Sequence, residues 1–291
     1  MYNVVIWGTG EIYRQCFASL KLQELAGVVK VVAVMSNDIG AKPSIGDYSL
    51  ISKEDISALD FDYCLVALDD MNTVLKETNQ LGIAKDKLIA MRVFLLPHFD
   101  FNKYIFIKES RPTILSRNCW AGMCYHRLGL EFLSPTINMF FSGHDFNKFV
   151  ANLDYYLSLP VELVEMRYQE ILKWDYPICR LGEGDESIQL YFNHYNSFDY
   201  AKECWEKRKK RINYDKMLVI SSTEAIEEAV EFENISYPGK MIFTSFQSDL
   251  KSSIYIPRDQ QWASFGEQIN LTVSANNDIL ELVYCLVQIT E

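Results

Sequence analysis

The chain alternates between short unbroken apolar runs and longer stretches whose apolar residues recur three and four positions apart. In the first hundred residues Val4–Trp7, Val28–Met35, Tyr63–Leu68 and Leu88–Met91 are the apolar runs. Strands without polar alternation are buried on both faces, as in a parallel sheet covered by helices. Between them, Glu11 to Leu25 and Thr73 to Leu81 carry helical spacing, the first through Ile12, Cys16, Leu20 and Leu22. The pattern predicts a Rossmann-like parallel α/β domain over residues 1–108.

Residues 101–112 are mixed in character and suit a connection. The strand–helix rhythm then restarts. Strands are expected at Thr113–Ser116, Thr136–Phe141, Ile188–Phe192, Met217–Ile220 and Met241–Phe243. Helices are expected at Cys119–Leu128, Asp145–Leu159, Ser197–Ile212, Thr223–Phe232 and Ile279–Val287. The clearest amphipathic stripe is Phe146, Phe149, Val150, Leu153, Tyr156 and Leu157. This predicts a second α/β domain over residues 109–291, with a mainly parallel sheet.

Composition sharpens that picture. With 291 residues, 49% of them hydrophobic, the chain can bury two cores. Its net charge of −11 repels phosphate backbones and argues against nucleic acid as a partner. The basic run Lys207–Arg211 closes a predicted helix, where cations complement the carbonyl end. Arg208 shares the spacing of Phe198, Ala201, Trp205 and Ile212, so its guanidinium needs an internal partner. Trp7, Trp174 and Trp262 are candidates for sugar stacking or an interface, with core packing the commoner use of any one of them. No apolar run has the length that spans a bilayer. The start of the chain enters a strand directly, and seven scattered cysteines lack a C-x-x-C pair. Both features suit a cytoplasmic protein with reduced thiols.

Chemistry is expected at two places. Gly8-x-Gly10 after the first strand is half of a dinucleotide fingerprint, with Asp38 placed for a ribose hydroxyl. Tyr13 stands where the third glycine belongs, so the motif predicts a nucleotide-binding-like site with weak or no NAD binding. In the second domain, ligands are expected outside the carboxyl ends of the parallel strands. There lie Arg117 and Asn118, His144 and Asp145, Asn193 and His194, and Ser221. His194 or His144 would act as general base, and Arg117 would hold an anion. Asn118, Asp145, Asn193 and Ser221 would line the ligand, although helix capping alone explains most such residues, with Asn118, Asp145, Ser197 and the Ser221–Glu224 pair placed for it. Cys119-x4-Cys124-x-His126 fits no common zinc spacing, so no metal is expected. A buried thiol or a reactive one at a helix start are both open to Cys119.

Several segments carry a resemblance. SRNCWAG (116–122), SPTIN (134–138), DFNKF (145–149), FNHY (192–195) and the W-x-x-R-x-x-R-I-N run from Trp205 to Asn213 resemble a bacterial family of exopolysaccharide biosynthesis proteins. Their shared C-terminal domain has no established activity. The resemblance implies work on cell-surface polysaccharide, with a sugar or nucleotide sugar as ligand, and assigns no catalytic residue. Three function classes stand at this point. The first is a metal-independent transferase acting on nucleotide-activated or phosphorylated sugar. The second is a non-catalytic nucleotide- or sugar-binding assembly protein. The third is an NAD-dependent oxidoreductase.

Overall fold

A computed structural model describes residues 1–36, 44–171, 173–273 and 278–290. It divides into two compact units, Met1–Ile105 and Phe106–Glu291.

Unit 1 contains β1 (Tyr2–Trp7), α1 (Glu11–Leu25), β2 (Val29–Met35), β3 (Ser44–Ile45), β4 (Tyr48–Ile51), β5 (Tyr63–Val66), α2 (Met71–Leu81) and β6 (Leu88–Ala90). The sheet order is β3-β4-β2-β1-β5-β6. All neighbours run parallel except the β3–β4 hairpin. Residues 4–7 and 63–66 are wholly buried, which is why those strands show no polar alternation. The central position of β1 is the Rossmann-like arrangement.

Unit 2 takes in the end of α3 (Phe101–Ser110), then β7 (Thr113–Ser116), α4 (Trp120–Arg127), α5 (Gly143–Ala151), α6 (Leu153–Ser158), β8 (Glu162–Gln169), β9 (Trp174–Leu181) and β10 (Ile188–Tyr191). There follow α7 (Phe198–Lys209), β11 (Met217–Thr223), α8 (Ile226–Glu233), β12 (Gly239–Thr244), β13 (Ser253–Tyr255), α9 (Phe265–Gln268) and a final helix, Ile279–Ile289. A four-stranded sheet of order β13-β12-β11-β7 is entirely parallel. A three-stranded antiparallel sheet, β10-β9-β8, stands beside it.

Three local expectations are corrected. Thr136–Phe141 is not a strand. Ser134 and Thr136 spend their hydroxyls on backbone groups, and Asn138 adopts φ 61°, which breaks an extended run. Ile188–Tyr191 is a strand, but it belongs to the antiparallel sheet. The stretch 145–159 is two helices, broken at Asn152, where φ is −130° and ψ 48°.

The core of unit 2 couples both sheets. Phe149 packs on Phe141 at 5.2 Å and on Trp205 at 6.0 Å, and Trp205 meets Phe192 edge-on at 6.2 Å. All four are almost fully buried. Residues 140 and 141 join the ends of two strands. The Phe141 N–H donates to Arg117 O at 2.9 Å, while Phe140 and Tyr191 exchange two backbone bonds of 3.0 Å. The carboxyl end of β7 and the end of β10 therefore flank one short segment. No helix among the described residues is long and apolar enough to cross a membrane.

Candidate functional site

At the carboxyl edge of the parallel sheet the polar groups satisfy one another. Arg117 follows β7 and donates through Nη1 to Glu228 Oε2 at 2.8 Å, to Ser222 O, and through Nε to Phe141 O. The pair is mostly buried, with 22% and 16% of the two side chains exposed. Thr223 Oγ1 donates to the same carboxylate. That carboxylate also lies against the start of α5: a Cβ on Gly143 would stand 2.0 Å from it. A helix N-terminus, a guanidinium and a hydroxyl thus surround an anion, which is the chain's own Glu228. The expected anion site at Arg117 has an internal occupant.

The other residues of this edge are also engaged. Asn118 Oδ1 accepts the Trp120 N–H at the start of α4, and its amide reaches Ser222 Oγ at 3.5 Å. Ser116 Oγ accepts the Ala121 N–H. Ser221 is not a cap: β11 runs on to Thr223, and Ser221 is buried within it. Ser142, not Asp145, caps α5, accepting the Asp145 N–H at 3.1 Å. Ser197 caps α7. His144, in the first turn of α5, is exposed and pairs through Nδ1 with Glu231 Oε2 of α8 at 2.8 Å. Asn147 ties the same carboxylate to α5.

The end of β10 differs. Phe140 and Tyr191 are both half-buried, and their rings stack at 4.5 Å with planes 10° apart. Tyr191 donates its hydroxyl to Gln189 Oε1 at 2.7 Å. Burial, and then the nearby Asp145 carboxylate, hold the Tyr191 phenol above its usual pKa. Two residues on, Asn193 Oδ1 is shut off from solvent and has no donor among the described residues. His194 is exposed as a residue and makes no side-chain hydrogen bond among the described residues. Desolvation by the surrounding atoms still holds its imidazole below the ordinary value, so it is neutral at pH 7. Tyr195 then anchors the turn, donating to Ile137 O at 3.0 Å and accepting from Arg208. The internal partner that Arg208 required is this phenol, together with a carbonyl.

In unit 1, Gly8 has φ 108°, and a Cβ there would meet Leu68 Cδ2 at 3.0 Å and Ala67 O at 3.1 Å, so only glycine fits the turn. Gly10 precedes α1, whose first N–H groups receive no side-chain cap. A Cβ on Gly10 would meet nothing within 4 Å. Tyr13 is buried and packs edge-on against Phe17. Asp38 lies outside the described residues. Trp7 is buried in the core, the commoner use of such a residue, whereas Trp174 is 38% exposed.

Cys119 and Cys124 are not activated thiols. Burial pushes Cys119 up to about 11, which removes the reactive-thiolate reading, and Cys124 is raised further by the same cause. Among the described residues, no group of three or more His, Cys, Asp or Glu is arranged to hold a metal.

Residues 90–286 match the family model described as "Domain of unknown function (DUF1919)". The chain belongs to this family. Residues 1–89 match the model described as "C2185-like, N-terminal". An "Uncharacterized protein" of Haemophilus influenzae is 28% identical over 159 residues, 53% of this chain and 72% of that one. The DUF1919 match covers β7 through α9, and so contains both the Arg117–Glu228 pair and the β10 end. Sequence reasoning missed the Phe140–Tyr191 stack and Glu228. The stack had a signal, two aromatics flanking the predicted site, but their pairing depends on an antiparallel partner that the apolar pattern did not announce.

Proposed function

We propose that the DUF1919 region binds a carbohydrate at the end of β10, and that His194 serves there as general base in building a cell-surface polysaccharide. One observation carries the reading: among the described residues, a buried Asn193 Oδ1 has no donor and is followed by a neutral imidazole with no hydrogen-bond partner. Both are acceptors, and a sugar offers several hydroxyl donors in fixed geometry. The half-buried Phe140 and Tyr191 rings suit the C–H face of a pyranose. His194 would take the proton of an acceptor hydroxyl as that oxygen attacks the anomeric carbon of an activated sugar, whose phosphate leaves with the bonding pair. The uncapped start of α1 at Gly10 supports a nucleotide phosphate on unit 1. The buried Tyr13 at the third fingerprint position weighs against NAD.

One observation favours a second reading, a sugar-binding protein without chemistry. Arg117 is neutralised by Glu228, so it does not hold a departing phosphate while that pair stands. A single variant separates the two. His194→Gln keeps hydrogen bonding but cannot cycle a proton. Calorimetry with UDP-sugars and short oligosaccharides, with product detection by mass spectrometry, is the assay. For a base, binding persists and turnover falls by about 10²–10⁴-fold. Binding without turnover in the unaltered protein supports the second reading, and no binding of any saccharide defeats both.

A further inference from the structure

The antiparallel sheet of unit 2 has one edge extended by Phe140 against β10. Its other edge, β8, has no neighbouring strand among the described residues. All eight residues of β8 except Gln169 are exposed. Leu163, Val164, Met166 and Tyr168 lie along it, and Ile171 and Trp174 follow across the turn, each between 38% and 82% exposed. Scattered apolar residues on a surface need no explanation, but a contiguous run on an open strand does. It presents unpaired backbone groups and apolar surface together. Such edges are commonly guarded by lysine or proline, and β8 contains neither.

The charges on β8 indicate what covers it. Glu165 and Arg167 are two positions apart, so they share a face, and Arg167 Nε lies 3.0 Å from Glu165 Oε1. We propose that β8 pairs antiparallel with β8 of a second copy of this chain, about a two-fold axis at Met166. In that register Glu165 lies opposite Arg167 of the partner subunit, and Arg167 opposite Glu165 of the partner subunit. Met166 meets its own copy, and Val164 faces Tyr168 of the partner subunit. Opposite charges directly across two strands stabilise the pairing, and like charges oppose it. Centring the axis on Glu165 or on Arg167 would set that charge against itself. The backbone irregularity between Leu163 and Glu165 falls outside the three central pairs. A contact of this kind is self-complementary and closes after two copies.

The test is the oligomeric state of the full chain, measured by sedimentation or light scattering. The unaltered protein should be dimeric. E165R and R167E should each weaken association by about tenfold or more, because the symmetry repeats each repulsion. The double variant E165R/R167E should dimerise again. Mixing the two single variants should produce heterodimers, since Arg at 165 of one then meets Glu at 167 of the other. Met166→Lys, on the axis, should also give monomers, with a melting temperature unchanged by circular dichroism because the site is exposed. A protein that stays monomeric at the highest concentration it tolerates overturns the proposal. So does a dimer indifferent to these changes, or single variants that do not recombine.

Discussion

The two sheet ends of unit 2 meet at residues 140–141 and are built on opposite principles. At the parallel end, Arg117 is paired with Glu228, and His144 with Glu231. At the antiparallel end, among the described residues, Asn193 Oδ1 is buried without a donor and the His194 side chain has no hydrogen bond. Groups that satisfy one another hold a structure together. Groups left unsatisfied cost stability and persist where something from outside completes them. The comparison therefore places stability at the first end and supports the ligand contact proposed for the second.

The largest expected effect breaks the first end. Glu228→Ala leaves a mostly buried guanidinium unpaired, and chemical denaturation should show a loss of about 3 kcal/mol. Saccharide binding should survive wherever the variant is folded. A variant that keeps its stability and loses binding would reverse the two assignments.

Gly143→Ala is a subtler form of the same test. The added methyl would displace the Glu228 carboxylate, which Arg117 and Thr223 otherwise fix in place. The expected cost is about 1–2 kcal/mol by the same measurement. If the alanine variant is as stable as the original protein, the carboxylate is not held there.

The fold was legible where burial was two-sided. β5 and β6 are apolar throughout, and β1 and β2 are apolar from Val4 and Val31 onward, because helices and neighbours cover those stretches. β8 was overlooked for the opposite reason: exposed on both faces, it alternates apolar and polar residues from Val164 to Gln169 but has no unbroken apolar run like those that marked the buried strands. Pro177 disguised β9, since a proline argues against a central strand. Its carbonyl nevertheless accepts the Phe192 N–H. The site was legible in part. Asn193 and His194 follow a strand as expected, but one in the antiparallel sheet. Arg117 does face an anion, but that anion comes from Glu228, 111 positions later, a distance at which no local pattern operates.

The smallest effect concerns protonation at the second end. Desolvation lowers the His194 pKa in the folded state relative to the unfolded chain. The unfolded chain then binds more protons just below the ordinary imidazole range, so this residue's contribution to stability falls as pH drops through that range. An NMR titration of the ring should give a midpoint below that of a free imidazole. A midpoint at or above it would remove the neutral base from the account.

The most direct test is Asn193→Ala, measured for stability and saccharide affinity together. A buried acceptor without a donor contributes nothing to folding, so its removal should leave the melting temperature unchanged or slightly raised. Titration with the saccharide that the unaltered protein binds should show affinity reduced about tenfold or more, as expected when a hydrogen bond to the ligand is lost. A variant that melts well below the original protein yet binds saccharide as tightly would contradict the account, because Asn193 would then be holding the fold.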